Sequence, residues 1–199
     1  MTSEPGILRF LTHNGVFISL STISRYLTQK IEDFHKEKEE IINAGLQSTR
    51  FQQIDSTGAR VNGDQHHAHV LCNPYYTAYF TMPHKDRLTV LKILTRGVEL
   101  KHLFNSRAFE LMKTFTVPKK IIPHLYETCE NQTLNEETIL QVLQGLPTIN
   151  NNRDQLERRI KEATVIAWYH LQDEFPAIEV LMSDDAPQFS HIVKNQALC

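Results

Sequence analysis

Phe51-Gln52-Gln53-Ile54-Asp55-Ser56-Thr57-Gly58-Ala59-Arg60-Val61-Asn62-Gly63 is the stretch on which the fold turns. Phe51 to Asp55 reads as a strand that carries one carboxylate, Asp55, to its end. Ala59-Arg60-Val61 extends it towards Asn62-Gly63, the strongest short hairpin signal, because a tight two-residue turn needs positive φ at both positions. A second stretch far downstream has the same grammar: Ala177-Ile178-Glu179-Val180-Leu181-Met182-Ser183-Asp184-Asp185-Ala186-Pro187-Gln188-Phe189. There, too, an apolar strand ends in a carboxylate. Two such ends side by side would offer hard oxygen donors to a divalent cation.

Between these stretches the pattern changes twice. His66 to Asn73 predicts a second strand, with His67, His69 and Leu71 on one face and Ala68, Val70 and Cys72 on the other. Pro74 breaks it, and the aromatic and β-branched run Tyr75 to Thr81 predicts a third. Three consecutive strands, the first ending in Asp, suggest the opening of an RNase H-like sheet. His66, His67, His69 and His84 are read as ordinary strand and loop histidines, because no acidic or Cys partner stands near them at a metal-ligand spacing. From Lys85 to about Pro176 the period is helical. Leu88, Leu91 and Leu94 mark one helix; Phe109, Leu111, Met112 and Phe115 mark another; Ile121, Ile122 and Leu125 mark a third. Asn135 caps a helix through Ile139, Val142, Leu143 and Leu146, stopped by Gly145 and Pro147. Asn150-Asn151-Asn152 reads as a loop, and Arg153 to Glu174 as a long helix with Leu156, Ile160, Ala163, Ala167 and Leu171 down one side. Arg158, Arg159 and Lys161 lie on its other faces. They could track a nucleic-acid backbone, but a solvated face is the reading taken. Trp168 reads as a packing anchor. After the strand Ile178–Met182, Ala186-Pro187 is expected to start a helix carrying Phe189, Ile192 and Val193.

Upstream of the strands, residues 6–30 read as a helix, a turn and a second helix. Gly15 stops the first, Val16 and Ile18 bury the connection, and Ser19 or Ser21 caps the second. The second helix exposes Ser21, Thr22, Ser24 and Arg25, short polar and basic side chains suited to DNA contact. Any two-helix corner would show the same pattern. From Thr28 to about Leu46 the second helix is expected to continue, ended by Ala44-Gly45, with a mixed-charge solvated face over Lys36-Glu37-Lys38-Glu39-Glu40.

Composition narrows the classes. The chain has 199 residues, 41% of them hydrophobic, enough for a packed core. Lys and Arg total 21 against 23 Asp and Glu, so nucleic-acid binding would have to come from a local patch. Cys72, Cys129 and Cys199 form no CxxC pair, which fits a reducing compartment. No apolar run approaches the ~20 residues of a membrane helix, and the first residues lack a signal-peptide pattern. A soluble cytoplasmic protein with no membrane partner is expected.

The whole resembles a DDE transposase of the bacterial insertion-sequence sixty-six group. Gln53 to Gly63 looks like that group's Asp-Glu-Thr-Gly-x-x-Val-x-Gly block around the first catalytic acid. Ser183-Asp184-Asp185-Ala186-Pro187-Gln188-Phe189 looks like the Ser-Asp-Asn-Gly-x-x-Phe block around the second, with Asp185 where Asn is usual. Gly15 to Leu27 resembles the segment just before the catalytic core, and the three blocks follow the family order. The resemblance implies metal-dependent phosphodiester cleavage and strand transfer at element ends, with Mg²⁺ or Mn²⁺ in a two-metal site. Asp55 would bridge both metals and Asp184 would bind one. It also implies double-stranded DNA as partner, and an association with further copies or with an intact transposase.

The expected fold is α/β: a partial RNase H-like mixed sheet from 51–84 plus 176–199, a large helical insertion over 85–175, and a helix-turn-helix-like segment over 1–50. The third acid of the family would lie beyond residue 199, so the chain is expected to be an inactive fragment. The alternative is a catalytically inert remnant that binds DNA or protein.

Overall fold

The computed structural model describes residues 3–29, 31–147 and 152–198. They form two compact units, 1–43 and 44–199.

In the first unit, α1 (Glu4–His13) and α2 (Leu20–Thr28) pack as a helical corner. Gly15 takes φ +80° just after α1. Ser19 caps α2: its Oγ accepts from the Thr22 amide at 3.1 Å. Two expectations fail here. Val16 and Ile18 are exposed rather than buried. The next helix is no continuation of α2, because Gln29 is extended (φ −121°, ψ 151°) and α3 begins afresh, Glu32–Ser48. Nor does Gly45 end α3. It lies inside the helix, where the Tyr76 ring comes so close that a Cβ would overlap it. The glycine is there for that approach and not for a stop.

In the second unit β1 (Phe51–Val61), β2 (Asp64–Asn73) and β3 (Tyr76–Met82) form an antiparallel meander. The Asn62-Gly63 turn has both φ values positive, 52° and 92°, as the hairpin signal requires. Helices α4 (Arg87–Leu94), α5 (Ser106–Thr114), α6 (Ile121–Cys129), α7 (Glu136–Gln144) and α8 (Arg153–Tyr169) follow. A two-stranded ribbon, β4 (His102–Leu103) with β5 (Thr133–Leu134), is set among them. Three of these helices start alike. Asp86, Asn105 and Asn135 each accept, through a side-chain oxygen, the amide three residues on, at 2.8, 3.0 and 2.9 Å. Such caps stabilise by about 1 kcal/mol each. α8 is the central helix of the group, packed against α4, α5 and β4, and every residue from Glu162 to Tyr169 is buried. It ends at Tyr169, earlier than the periodicity suggested. Leu171 is therefore 67% exposed instead of lying on the core stripe. Trp168 is buried and packs edge-on to Phe175, ring centres 5.8 Å apart. Of the expected Asn loop, Asn150 and Asn151 fall outside the described residues.

The chain then returns to the sheet as β6 (Val180–Ser183), parallel to β1. The largest correction comes next. The helix expected from Ala186 is absent; turns run from Pro187, and a fifth strand, β7 (Asn195–Leu198), adds parallel to β6. Phe189, Ile192 and Val193 are buried as their apolar character demands, but from a loop, with His191 at φ +67°. The fold is thus mixed α/β, with sheet order β3-β2-β1-β6-β7. The sheet is antiparallel on one side of β1 and parallel on the other.

The two faces of this sheet differ. Gln52, Ile54, His69, Leu71, Ala78, Leu181 and Ser183 are buried on one. Gln53, Asp55, Val70, Thr77, Tyr79, Met182 and Asp184 alternate onto the other and are half-buried or exposed. Two polar side chains on the inner face are satisfied locally: Tyr76 Oη donates to Gln52 Oε1 at 3.0 Å, and Gln52 Nε2 donates to the carbonyl of Gly45 at 3.4 Å.

Candidate active site

Parallel pairing brings the two acids onto neighbouring strands, but Asp55 does not end its strand as expected: β1 runs on to Val61 because it stays paired with β2, whereas Asp184 directly follows β6. Phe51 pairs with Val180, Gln52 with Leu181 and Gln53 with Met182, an offset of 129 residues. Asp55 and Asp184 have the same offset, 184 − 55 = 129. They therefore stand two places beyond the last ladder pair, on neighbouring strands roughly 4.8 Å apart, and on the same face. Their approach is anchored at the other end of the ladder. The Arg50 carbonyl accepts from the Glu179 and Val180 amides at 2.9 and 3.1 Å, and the exposed Arg50 and Glu179 side chains pair across the strands.

Both carboxylates are exposed and locally oriented. Asp55 Oδ1 accepts from the Ser56 amide at 2.6 Å, and Asp184 Oδ1 from the Ala186 amide at 3.1 Å. Each aspartate thus has one oxygen held by backbone, and no ion pair is seen for either among the described residues. The site's chemistry is that of two hard, anionic oxygen donors, Asp55 within β1 and Asp184 just after β6. Mg²⁺ is commonly held by one or two carboxylates, the rest of its shell being water and substrate phosphate oxygens, so the donors suit it in kind. No group of three His, Cys, Asp or Glu side chains placed to hold a metal occurs among the described residues. Asp185, the neighbour of Asp184, is also exposed.

The other candidates are dispersed. Ser21 and Arg25 are exposed on α2, but Thr22 and Ser24 are half-buried. The Ser21 and Thr22 hydroxyls both lie 2.8 Å from Ser19 Oγ, inside the helix cap. Of the four, Arg25 is the side chain best free to reach a ligand. The histidines stay structural. His69 is fully buried and its Nε2 meets the His84 carbonyl at 3.1 Å, while its Nδ1 has no partner. Burial holds its pKa below the usual value.

One cluster escapes a sequence reading. Glu162 on α8 is 4% exposed and bonds Arg87 NH1 at 2.8 Å. Arg87 Nε and NH2 donate to Ser190 O and Oγ at 2.9 and 2.7 Å, and its guanidinium lies 4.4 Å from the Phe115 ring centre. Arg87 therefore clamps the loop that follows Asp184 onto α4 and α8. Burial pushes the Glu162 carboxyl up, and Arg87 draws it back. The only sequence signal was a Glu among the apolar positions of a buried helix. A second network links the buried His102 to Thr164 Oγ1 at 2.9 Å and to Glu136 at 3.2 Å, with Lys161 paired to Glu136.

Comparison with known proteins adds little chemistry. The chain is 28% identical over 160 residues to the uncharacterized protein y4jO of Sinorhizobium fredii (strain NBRC 101917 / NGR234). The match covers 80% of this chain and 48% of that protein, so the chain spans about half the length of the relative it matches. No family model matches, and no solved structure matches. No described helix is long and apolar enough to cross a membrane.

Proposed function

We propose that the chain carries the first two acids of a DDE-type transposase, Asp55 and Asp184, on its RNase H-like sheet. The observation that supports this is the register: the two strands that the motif resemblance selects are neighbours and parallel, and their acids have the ladder's own offset. A divalent cation bound there would activate the attacking water or 3′-hydroxyl and stabilise the leaving oxygen. The protein's part is to fix the donors. The Ser56 and Ala186 amides orient one oxygen of each carboxylate, and the Arg87 clamp restrains the chain just after Asp184. The partner on this reading is double-stranded DNA, and the cofactor is Mg²⁺ or Mn²⁺.

A second reading is an inert DNA- or protein-binding remnant. It is favoured by the lack of a third metal-directed side chain among the described residues. Titration calorimetry with Mn²⁺ on the wild type and on Asp55→Asn separates the two readings. Heat lost in the variant supports the metal pair; no metal-dependent heat in the wild type leaves the binding role alone. With two acids, strand transfer by these 199 residues alone is not expected. Plasmid nicking that disappears in Asp184→Asn would overturn that expectation.

A further inference from the structure

Two open troughs in the second unit, about 420 and 340 Å³ in volume, share one wall made by Arg87, Arg158 and Glu162. The first runs past Lys85 to Pro187 and Gln188, three and four residues beyond Asp184; the second runs past Arg159 and Thr116. Their linings hold four Lys/Arg side chains against two carboxylates, in a chain whose net charge is −2. Both carboxylates are engaged. Asp86 accepts from the Thr89 amide and hydroxyl, both at 2.8 Å, and Glu162 is held by Arg87. The excess charge lies on the remaining three. Lys85 is exposed and makes no ion pair among the described residues. Arg158 approaches Glu162 only to 3.9 Å and is 52% exposed. Arg159 donates to the Thr116 carbonyl at 3.2 Å, which leaves its charge uncompensated. Lys161, which looked equivalent in sequence, is excluded because it pairs with Glu136.

We infer that Lys85, Arg158 and Arg159 form a binding surface for the phosphate backbone of duplex DNA, leading towards the Asp184 loop and separate from Arg25 on α2. The assignment of DNA as the polyanion rests on the function proposed above; the position of the surface rests on the charge and shape of the troughs. Basic side chains that neutralise phosphates release counterions, and this makes affinity salt-dependent in proportion to their number.

The test is fluorescence anisotropy of the full chain with a labelled 30-base-pair DNA duplex and an RNA duplex of equal length, across a salt series. Lys85→Gln/Arg158→Gln is expected to weaken DNA binding about tenfold or more near 0.1 M salt, and to make the log–log salt slope shallower by nearly two. Lys85→Gln alone is expected to remove about one. Both side chains are exposed, so the melting temperature should hold. Affinity and slope unchanged in the double variant, with binding lost in Arg25→Gln, would overturn the surface and leave the transposase reading standing. A wild type that binds RNA and not DNA, or neither, would overturn it as well. Mn²⁺ binding at Asp55 does not involve these residues, and so reports separately on the proposed function.

Discussion

Glu162 and the Asp55–Asp184 pair are acids held in opposite ways. Glu162 sits on a helix, almost wholly buried, and its charge is answered by an arginine that also holds a loop. The two aspartates sit on the sheet, Asp55 within β1 and Asp184 just after β6, exposed, with one oxygen each tied to a backbone amide and no ion pair seen for either among the described residues. A buried, compensated acid belongs to the architecture, because removing its partner would strand a charge in a poor dielectric. An exposed, uncompensated pair adds little to stability and is available to bind. The difference teaches that, within one sheet-and-helix unit, stability and the proposed metal binding should be lost independently.

The largest effect should come from the buried pair. Arg87→Ala is expected to lower the unfolding free energy by about 3–5 kcal/mol, read as a shift in the urea midpoint at constant slope. A shift no larger than that of a surface substitution would erase the contrast between the two kinds of acid. Next is the close approach at Gly45. Gly45→Ala puts a Cβ into the Tyr76 ring, which cannot retreat freely because it is buried and its hydroxyl is bonded to Gln52. A loss of about 1–3 kcal/mol is expected in the same measurement.

Smaller still is the pH dependence. Burial lowers the pKa of His69, His102, His170 and His191. Below about 6.5 the unfolded chain then binds more protons than the folded one, so stability falls as pH falls through that value and is unaffected above it. Glu162, raised by burial, works in the opposite sense above the ordinary carboxylate range, so the two slopes partly offset. Thermal midpoints across this range should show the histidine slope reduced in His69→Leu. The smallest effect on stability should be that of Asp55→Asn, within about 0.5 kcal/mol, because the residue is exposed.

Much of this was legible beforehand, and the failures share a cause. Strands whose neighbours are close in sequence announced themselves: alternation, Pro74 and Asn62-Gly63 delimit the meander. One helix start was legible in its Asn cap, at Asn135, while the like caps at Asp86 and Asn105 went unread. The missed features depend on partners distant in the chain. Asn195-Gln196-Ala197-Leu198 has no strand pattern of its own and becomes one only by lying along β6. Phe189, Ile192 and Val193 repeat at helical spacing yet are buried from a loop, which periodicity cannot distinguish. Gly45 reads as a stop because the sequence does not show Tyr76 beside it. At the site, the two acids and their separation could be read off the chain, but their common register with β1 and β6 could not. Glu162 was hidden for the converse reason, since only packing reveals that its helix is buried on that side.

The most direct measurement is Mn²⁺ titration calorimetry on the wild type, Asp55→Asn, Asp184→Asn and Glu162→Gln. The account predicts binding heat in the wild type, loss in both aspartate variants with folding intact, and retention in a folded Glu162→Gln. Equal heats in the wild type and both aspartate variants would contradict it.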